Sequence, residues 1–239
     1  MSDARLEEAR ARLLELHPEG FEEAEGELAV YTDADGERRL RAHFGDVTSS
    51  PLEPGWAERW REFHRPVWIG PLWVGPPWEE PPDDALAVVV DPGRAFGTGS
   101  HPTTRLCLEF LVDLESGSLL DLGSGSGVLA VAAAKLGFAP VTGIDHEPAA
   151  VEAARRNAEA NGVTVEFRLG NVLVDPLPSA DVAVANIDLS TVEKLGAVLD
   201  VPLLVTAGYF HSRLPEICGY VHRERRVDGG WAADRFVRQ

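Results

Sequence analysis

Two regimes of hydrophobic patterning divide the chain. Over the first fifty residues the pattern is mixed. Leu6, Ala9, Leu13 and Leu16 recur at helical spacing between Ser2 and the stop His17-Pro18-Glu19-Gly20, which predicts a first amphipathic helix. Gly26 to Thr32 and Arg39 to Phe44 flank the turn signal Asp33-Ala34-Asp35-Gly36, which predicts two strands of a hairpin. A stretch rich in proline and tryptophan follows from Pro51 to Asp84, and in it Trp56, Trp60 and Phe63 fall on one face of a short helix opened by Pro54-Gly55. These segments predict a small α+β domain over 1–50 and an arm over 51–85.

From Leu86 onward, apolar runs alternate with helical stretches, the signature of a parallel sheet with crossover helices over 86–239. The predicted strands are Leu86–Val90, Ser118–Leu122, Val141–Ile144, Val163–Leu169, Asp181–Ala185 and Leu203–Thr206. The predicted helices lie near Pro102–Asp113, Gly127–Leu136, Glu147–Ala160 and Leu189–Leu199. Gly219 to Val237 departs from the alternation and predicts an antiparallel pair around Asp228-Gly229-Gly230. The fold class is therefore α/β, a Rossmann-like sheet closing on an antiparallel pair, with the small α+β domain ahead of it.

Composition narrows the function classes. The 239 residues are 44% hydrophobic, enough to bury a sizeable core. No run of eighteen apolar residues occurs, and Met1-Ser2-Asp3-Ala4-Arg5-Leu6-Glu7-Glu8 is too acidic for a secretory signal, so a cytoplasmic protein with no membrane partner is expected. A formal net charge of −17 repels phosphate backbones, which argues against direct nucleic-acid binding and favours a basic macromolecular partner. Cys107 and Cys218 lie far apart with no metal-ligand spacing, so no metal site is predicted and both are expected as buried free thiols.

The candidate chemistry begins at Asp121-Leu122-Gly123-Ser124-Gly125-Ser126-Gly127, a glycine loop between a short apolar strand and a helix. Glycine permits positive φ and lets a ligand approach the backbone, as nucleotide-like ligands do at the carboxyl end of a sheet. A second strand ends in Asp145, 22 residues after Gly123, where a carboxylate can accept from both hydroxyls of a ribose. The third glycine falls one place earlier than in a dinucleotide loop, and Asp121 suits a cationic, amino-bearing ligand better than a pyrophosphate. The run Asp91-Pro92-Gly93-Arg94-Ala95-Phe96-Gly97-Thr98-Gly99-Ser100-His101-Pro102-Thr103-Thr104 has the glycines, hydroxyls and single aromatic of a ligand lid, though Pro102-Thr103-Thr104 is equally good helix-start chemistry. Asn186, at the end of Val184-Ala185-Asn186-Ile187, offers a carbonyl oxygen that can hold a nucleophilic nitrogen, or serves as a turn residue.

Four runs carry a family resemblance: DPGRAFGTGSHPTTRLCLEFL (91–111), LLDLGSGSGVLAVAAAKLG (119–137), VTGIDHEPAAVEAARRNAEANGV (141–163) and ADVAVANI (180–187). With the upstream WAERWREFHRP and LWVGPPW segments, they resemble the bacterial ribosomal protein L11 methyltransferases. The resemblance implies a seven-stranded methyltransferase sheet with a final antiparallel strand, S-adenosylmethionine as cofactor, and a ribosomal protein as substrate. It also implies that Thr104, Gly123, Gly125, Asp145 and Asn186 contact the cofactor while Phe96 closes over it. The family begins with a ferredoxin-like recognition domain. Here the first helix starts almost at Met1 with no strand before it, so a truncated version is expected.

Methyl transfer is an in-line displacement that chiefly requires an aligned amine lone pair. No catalytic base is assigned: Asp91, His101 and Asp188 could each accept a proton, and each has an equally good role as a turn or cap residue. The expected function is S-adenosylmethionine-dependent methylation of lysine ε-amino or N-terminal α-amino groups of ribosomal protein L11 by a monomeric enzyme. The rivals are a methyltransferase for another protein or small amine and a non-catalytic cofactor-binding module, with a dinucleotide oxidoreductase a distant third.

Overall fold

A computed structural model describes residues 9, 12–13, 22–24, 27–30, 32, 34–45, 47–50, 65–91 and 99–239. The chain divides into two compact units, residues 1–61 and 62–239. The helix predicted around Trp56, Trp60 and Phe63 lies outside the described residues, as do Pro92 to Thr98.

In the first unit, Ala9, Arg12 and Leu13 are helical, and Leu13 is buried. Two short antiparallel strands, β1 (Glu22–Ala24) and β2 (Glu27–Ala29), pair Ala24 with Glu27. The hairpin predicted between residues 26–32 and 39–44 does not form, because Ala34–Phe44 is a helix, α1. The alternation of Leu40, Ala42 and Phe44 with Arg39, Arg41 and His43 suits a strand, but the charges suit a helix. Asp35 and Glu37 occupy the positive first turn, and Arg41 and His43 the negative last turn. Glu37 and Arg41 pair across one turn at 2.8 Å. Arg41 also donates to Val47 O and Ser49 Oγ, and Gly45, at a φ of 72°, donates to Arg41 O to close the helix end.

The second unit holds two sheets. In the smaller, β3 (Val67–Ile69) and β4 (Leu72–Gly75) form a hairpin, and β5 (Leu86–Val89) lies parallel to β4. β5 was expected as the first strand of the main sheet. It is separated from that sheet because Asn161 meets it: the Asn161 side chain accepts from Val89 N–H at 2.8 Å and donates to Val89 C=O at 2.6 Å. One amide thus satisfies backbone groups that a neighbouring strand would otherwise bond.

The larger sheet has seven strands in the order β11-β12-β10-β9-β6-β7-β8. They are β6 (Leu119–Leu122), β7 (Val141–Asp145), β8 (Glu166–Leu169), β9 (Val182–Asn186), β10 (Leu203–Phe210), β11 (Tyr220–Asp228) and β12 (Trp231–Arg238). β12 runs antiparallel to both its neighbours, whereas β6 through β10 pair in parallel. The predicted α/β class and final antiparallel strand are thus present. Among the described residues, four helices accompany the sheet: α2 (Pro102–Asp113), α3 (Val128–Lys135), α4 (Pro148–Ala160) and α5 (Leu189–Leu195).

Successive side chains of the central strands feed opposite faces. Leu119, Val182, Val184 and Val205 join a core with Phe110, Val131 and Ala154 of α2, α3 and α4, while Leu120, Ala183, Ala185 and Leu204 join another with Val192 and Leu195 of α5. Burial on both faces explains why these strands read as unbroken apolar runs. Of the two thiols, Cys107 is buried as expected, but Cys218 is exposed, because the connection before β11 passes over the surface.

Candidate active site

β6 lies between β7 and β9, so the sheet order turns at this strand. Ligands of open α/β sheets sit outside the carboxyl ends of strands at such a point. Three segments leave those ends: the glycine loop after β6, Asp145 at the end of β7, and Asn186-Ile187 at the end of β9.

Gly123, Gly125 and Gly127 all adopt positive φ, at 75°, 52° and 79°. This is the conformation that a side chain makes costly. At Gly123 an added Cβ would also strike Cγ2 of Ile187. Gly127 is the cap of α3, so the loop delivers a helix N-terminus to the crevice. The neighbouring strand fixes the loop. Gly123 N and Ser124 N both donate to Ile144 O, at 2.8 and 3.1 Å, and Gly125 N donates to Asp145 Oδ2 at 2.8 Å. Glu147 N donates to Asp145 Oδ1 at 3.0 Å. Each carboxylate oxygen of Asp145 accepts once here, and each has capacity for a further donor.

Asp121 is 1% exposed. Its Oδ2 accepts from Ala130 N at 3.2 Å, while Oδ1 has no partner among the described residues. Loss of hydration pushes its pKa up to about 7, and the charge of Asp145 pushes the same way, against the Ala130 hydrogen bond. Ser124 Oγ and Asn186 Oδ1 are also buried without a partner among the described residues. Native interiors rarely leave such atoms unbonded. Three of them at the carboxyl ends of β6 and β9 fit a polar, amino-bearing ligand that completes their hydrogen bonds.

The predicted residues fall into two groups. Gly125 bonds Asp145 directly while Gly123 bonds the preceding residue Ile144, and Thr104 and Asn186 meet through Asn186 Nδ2 donating to Thr104 Oγ1 at 3.3 Å. Ile187, packed against Gly123, links the groups. Phe96 lies outside the described residues. The two proton-acceptor candidates of the helix starts are caps. His101 Nδ1 accepts from Thr103 N at 3.3 Å and meets Thr103 Oγ1 at 2.7 Å. Burial lowers the His101 pKa to about 4. Asp188 accepts from Thr191 N at 3.1 Å and from Thr191 Oγ1 at 2.6 Å. At Asp91, the backbone N–H donates to Asn157 Oδ1 at 3.1 Å.

Sequence reasoning passed over Asn157. Its Nδ2 donates to Ser126 O at 2.8 Å, so one buried amide ties the glycine loop to the segment beginning at Asp91. The signal was available: Asn157 and Asn161 are polar residues one turn apart, beside the apolar face of α4 formed by Val151, Ala154 and Ala158.

The model of one protein family, Ribosomal protein L11 methyltransferase (PrmA), matches residues 21–212 and so takes in every residue of this site. The chain belongs to this family. The ribosomal protein L11 methyltransferase of Tolumonas auensis is 41% identical over 194 residues, covering 74% of this chain and 66% of that protein. That of Edwardsiella ictaluri is 40% identical over 210 residues, covering 83% and 72%. That of Haemophilus influenzae is 47% identical over 151 residues, covering 60% and 50%. The chain therefore spans from half to under three-quarters of these relatives. A solved ribosomal protein L11 methylase from Lactobacillus delbrueckii subsp. bulgaricus shares the fold with a TM-score of 0.65 at 27% identity, over 74% of this chain and all of that one. β11 and β12 lie beyond the range matched by the L11 methyltransferase family model.

Proposed function

We propose that this chain is an S-adenosylmethionine-dependent methyltransferase whose acceptors are amino groups of ribosomal protein L11. One observation carries the reading: a positive-φ glycine loop bonded to Asp145 adjoins an Asn186–Thr104 pair, and buried polar atoms of both await partners. The family supports the same reading. When bound, the cofactor supplies an activated methyl group on a sulfonium.

Each residue then has a stated task. Asp145 accepts from the ribose hydroxyls, and the bare backbone at Gly123 and Gly125 gives the cofactor a close approach. Asp121 and Ser124 offer acceptors to its amino acid end. Phe96, in the lid segment, closes over the bound cofactor. Thr104 engages the NH2 of Asn186, which leaves Oδ1 to accept an N–H of the target amine and aim its lone pair. His101 is occupied as a cap, and its pKa of about 4 makes it a weak base at neutral pH, so no side chain is assigned proton removal. On this reading the enzyme acts in the cytoplasm as a monomer, and the acidic charge supports a protein acceptor over nucleic acid. No helix among the described residues is long and apolar enough to cross a membrane, and no three of their side chains group as a metal site.

Calorimetry with S-adenosylhomocysteine and NAD separates the cofactor classes. The reading predicts binding of the first alone, and Asp145→Ala weakens it by about 1–3 kcal/mol. NAD binding, or an unchanged affinity in Asp145→Ala, contradicts it.

A further inference from the structure

The cofactor loop and the acceptor amide are not directly hydrogen-bonded to each other in any contact described above. One residue, Ile187, touches both. It follows Asn186 directly, and two glycines, Gly123 of the loop and Gly208 of β10, lie against it. A Cβ added to Gly123 would strike the Ile187 Cγ2 methyl. A Cβ added to Gly208 would strike the Ile187 carbonyl oxygen and would stand 2.7 Å from its carbonyl carbon and 3.0 Å from its nitrogen.

Gly208 is itself irregular. It has a φ of 104° inside the eight-residue strand β10. The pairing of β10 with β12 runs Ala207 with Ala233, then Tyr209 with Ala232, so Gly208 is the extra residue of a β-bulge. The parallel ladder between β10 and β9 ends just before it, at Ala207 opposite Asn186, and Ile187 N donates to Ala207 O at 3.1 Å. The bulge therefore lies where β9 gives way to the active-site segment. It substitutes a bare Cα for the side chain that a regular strand would present, and the Ile187 peptide lies against that Cα.

We infer that Ile187, gripped between Gly123 and Gly208, is a positioning residue that fixes the height of Asn186 over the cofactor loop and hence the alignment of the acceptor amine with the transferred methyl. The inference rests on the proposed function. Its physical basis is that an in-line transfer tolerates little displacement, and an obstruction at Gly208 is backbone, which cannot rotate away as a side chain would. The Gly123 contact is with a methyl group, so trimming Ile187 relieves it.

The test separates alignment from folding. In Gly208→Ala, kcat for methyl transfer falls by about tenfold to a hundredfold while the affinity for S-adenosylhomocysteine stays within about threefold. Ile187→Ala lowers kcat in the same way. Ile187→Val keeps the branched β-carbon and the methyl that meets Gly123, and retains most of the activity that Ile187→Ala loses. A Gly208→Ala protein that folds and keeps the parent kcat and KM overturns the inference. So does an Ile187→Ala protein that loses stability alone. If Gly208→Ala does not fold, the two Ile187 variants still decide. A parent protein that methylates no acceptor defeats the proposed function and leaves a second arm to test this inference. In calorimetry with S-adenosylhomocysteine, Gly123→Ala weakens binding, and adding Ile187→Ala restores part of the loss. Strictly additive losses overturn the contact as a coupling between the segments.

Discussion

Asp121 is the residue whose surroundings depart furthest from what its sequence position announces. The sequence marks it as an acid before a glycine loop, but not that it is buried with one oxygen unbonded. Its pKa rises from the ordinary 3.8 to about 7, so between those values the folded chain holds a proton that the unfolded chain has released. The Asp121 contribution to stability then falls as pH rises from about 4 to about 7 and levels off above that. Buried His101, its pKa lowered from 6.5 to about 4, contributes in the opposite direction below about pH 6.5, so the parent protein shows the sum of the two. Urea titrations at pH 5 and pH 8 isolate the Asp121 share by difference: relative to Asp121→Asn, the parent protein should lose on the order of 2 kcal/mol more stability between these two pH values. An equal slope in both proteins would mean that Asp121 titrates normally. The candidate residues were otherwise legible where a rare residue type met a strand end. Gly123, Gly125, Asp145 and Asn186 stand at the carboxyl ends of β6, β7 and β9 because glycine, acid and amide are uncommon in apolar runs. Ile187 and Gly208 were not legible, because an apolar residue and a mid-strand glycine announce nothing until the bulge brings them together.

At the scale of elements, periodicity located α2 at Pro102–Asp113 to the residue, and α4 and β12 to within a residue or two. It failed where two periods fit the same letters. Residues 39–44 alternate like a strand, yet the Glu37–Arg41 pair and the end charges make them part of α1. It also failed for β5, whose apolar run was correct but whose partner is β4, because Asn161 satisfies the backbone of Val89. That amide is the element-scale test. Asn161→Ala leaves the Val89 N–H and C=O without these partners and should destabilise the protein by about 1–3 kcal/mol in urea unfolding. A smaller loss would mean that water or a shifted β5 replaces the amide. The antiparallel wing is secured differently, by buried Asp234, which accepts from Tyr209 Oη at 2.9 Å, Arg225 Nε at 2.9 Å and Arg225 Nη2 at 2.8 Å. His222 Nε2 lies 2.7 Å from the same carboxylate. A strand pattern could place β11 and β12 but not this network, since its members come from three strands.

At the scale of the molecule, a unit of residues 62–239 carries the sheet, the glycine loop and Asn186. Family membership rests on residues 21–212, and the net charge of −17 favours a basic protein as acceptor. The central claim is that this unit moves methyl groups onto amines of ribosomal protein L11. Incubation with S-adenosylmethionine and the ribosomal proteins of the same source, followed by intact-mass measurement, tests it most directly. The account predicts mass gains in whole methyl increments on L11 and on no other ribosomal protein. Binding of the cofactor with no mass gain on any ribosomal protein would contradict it.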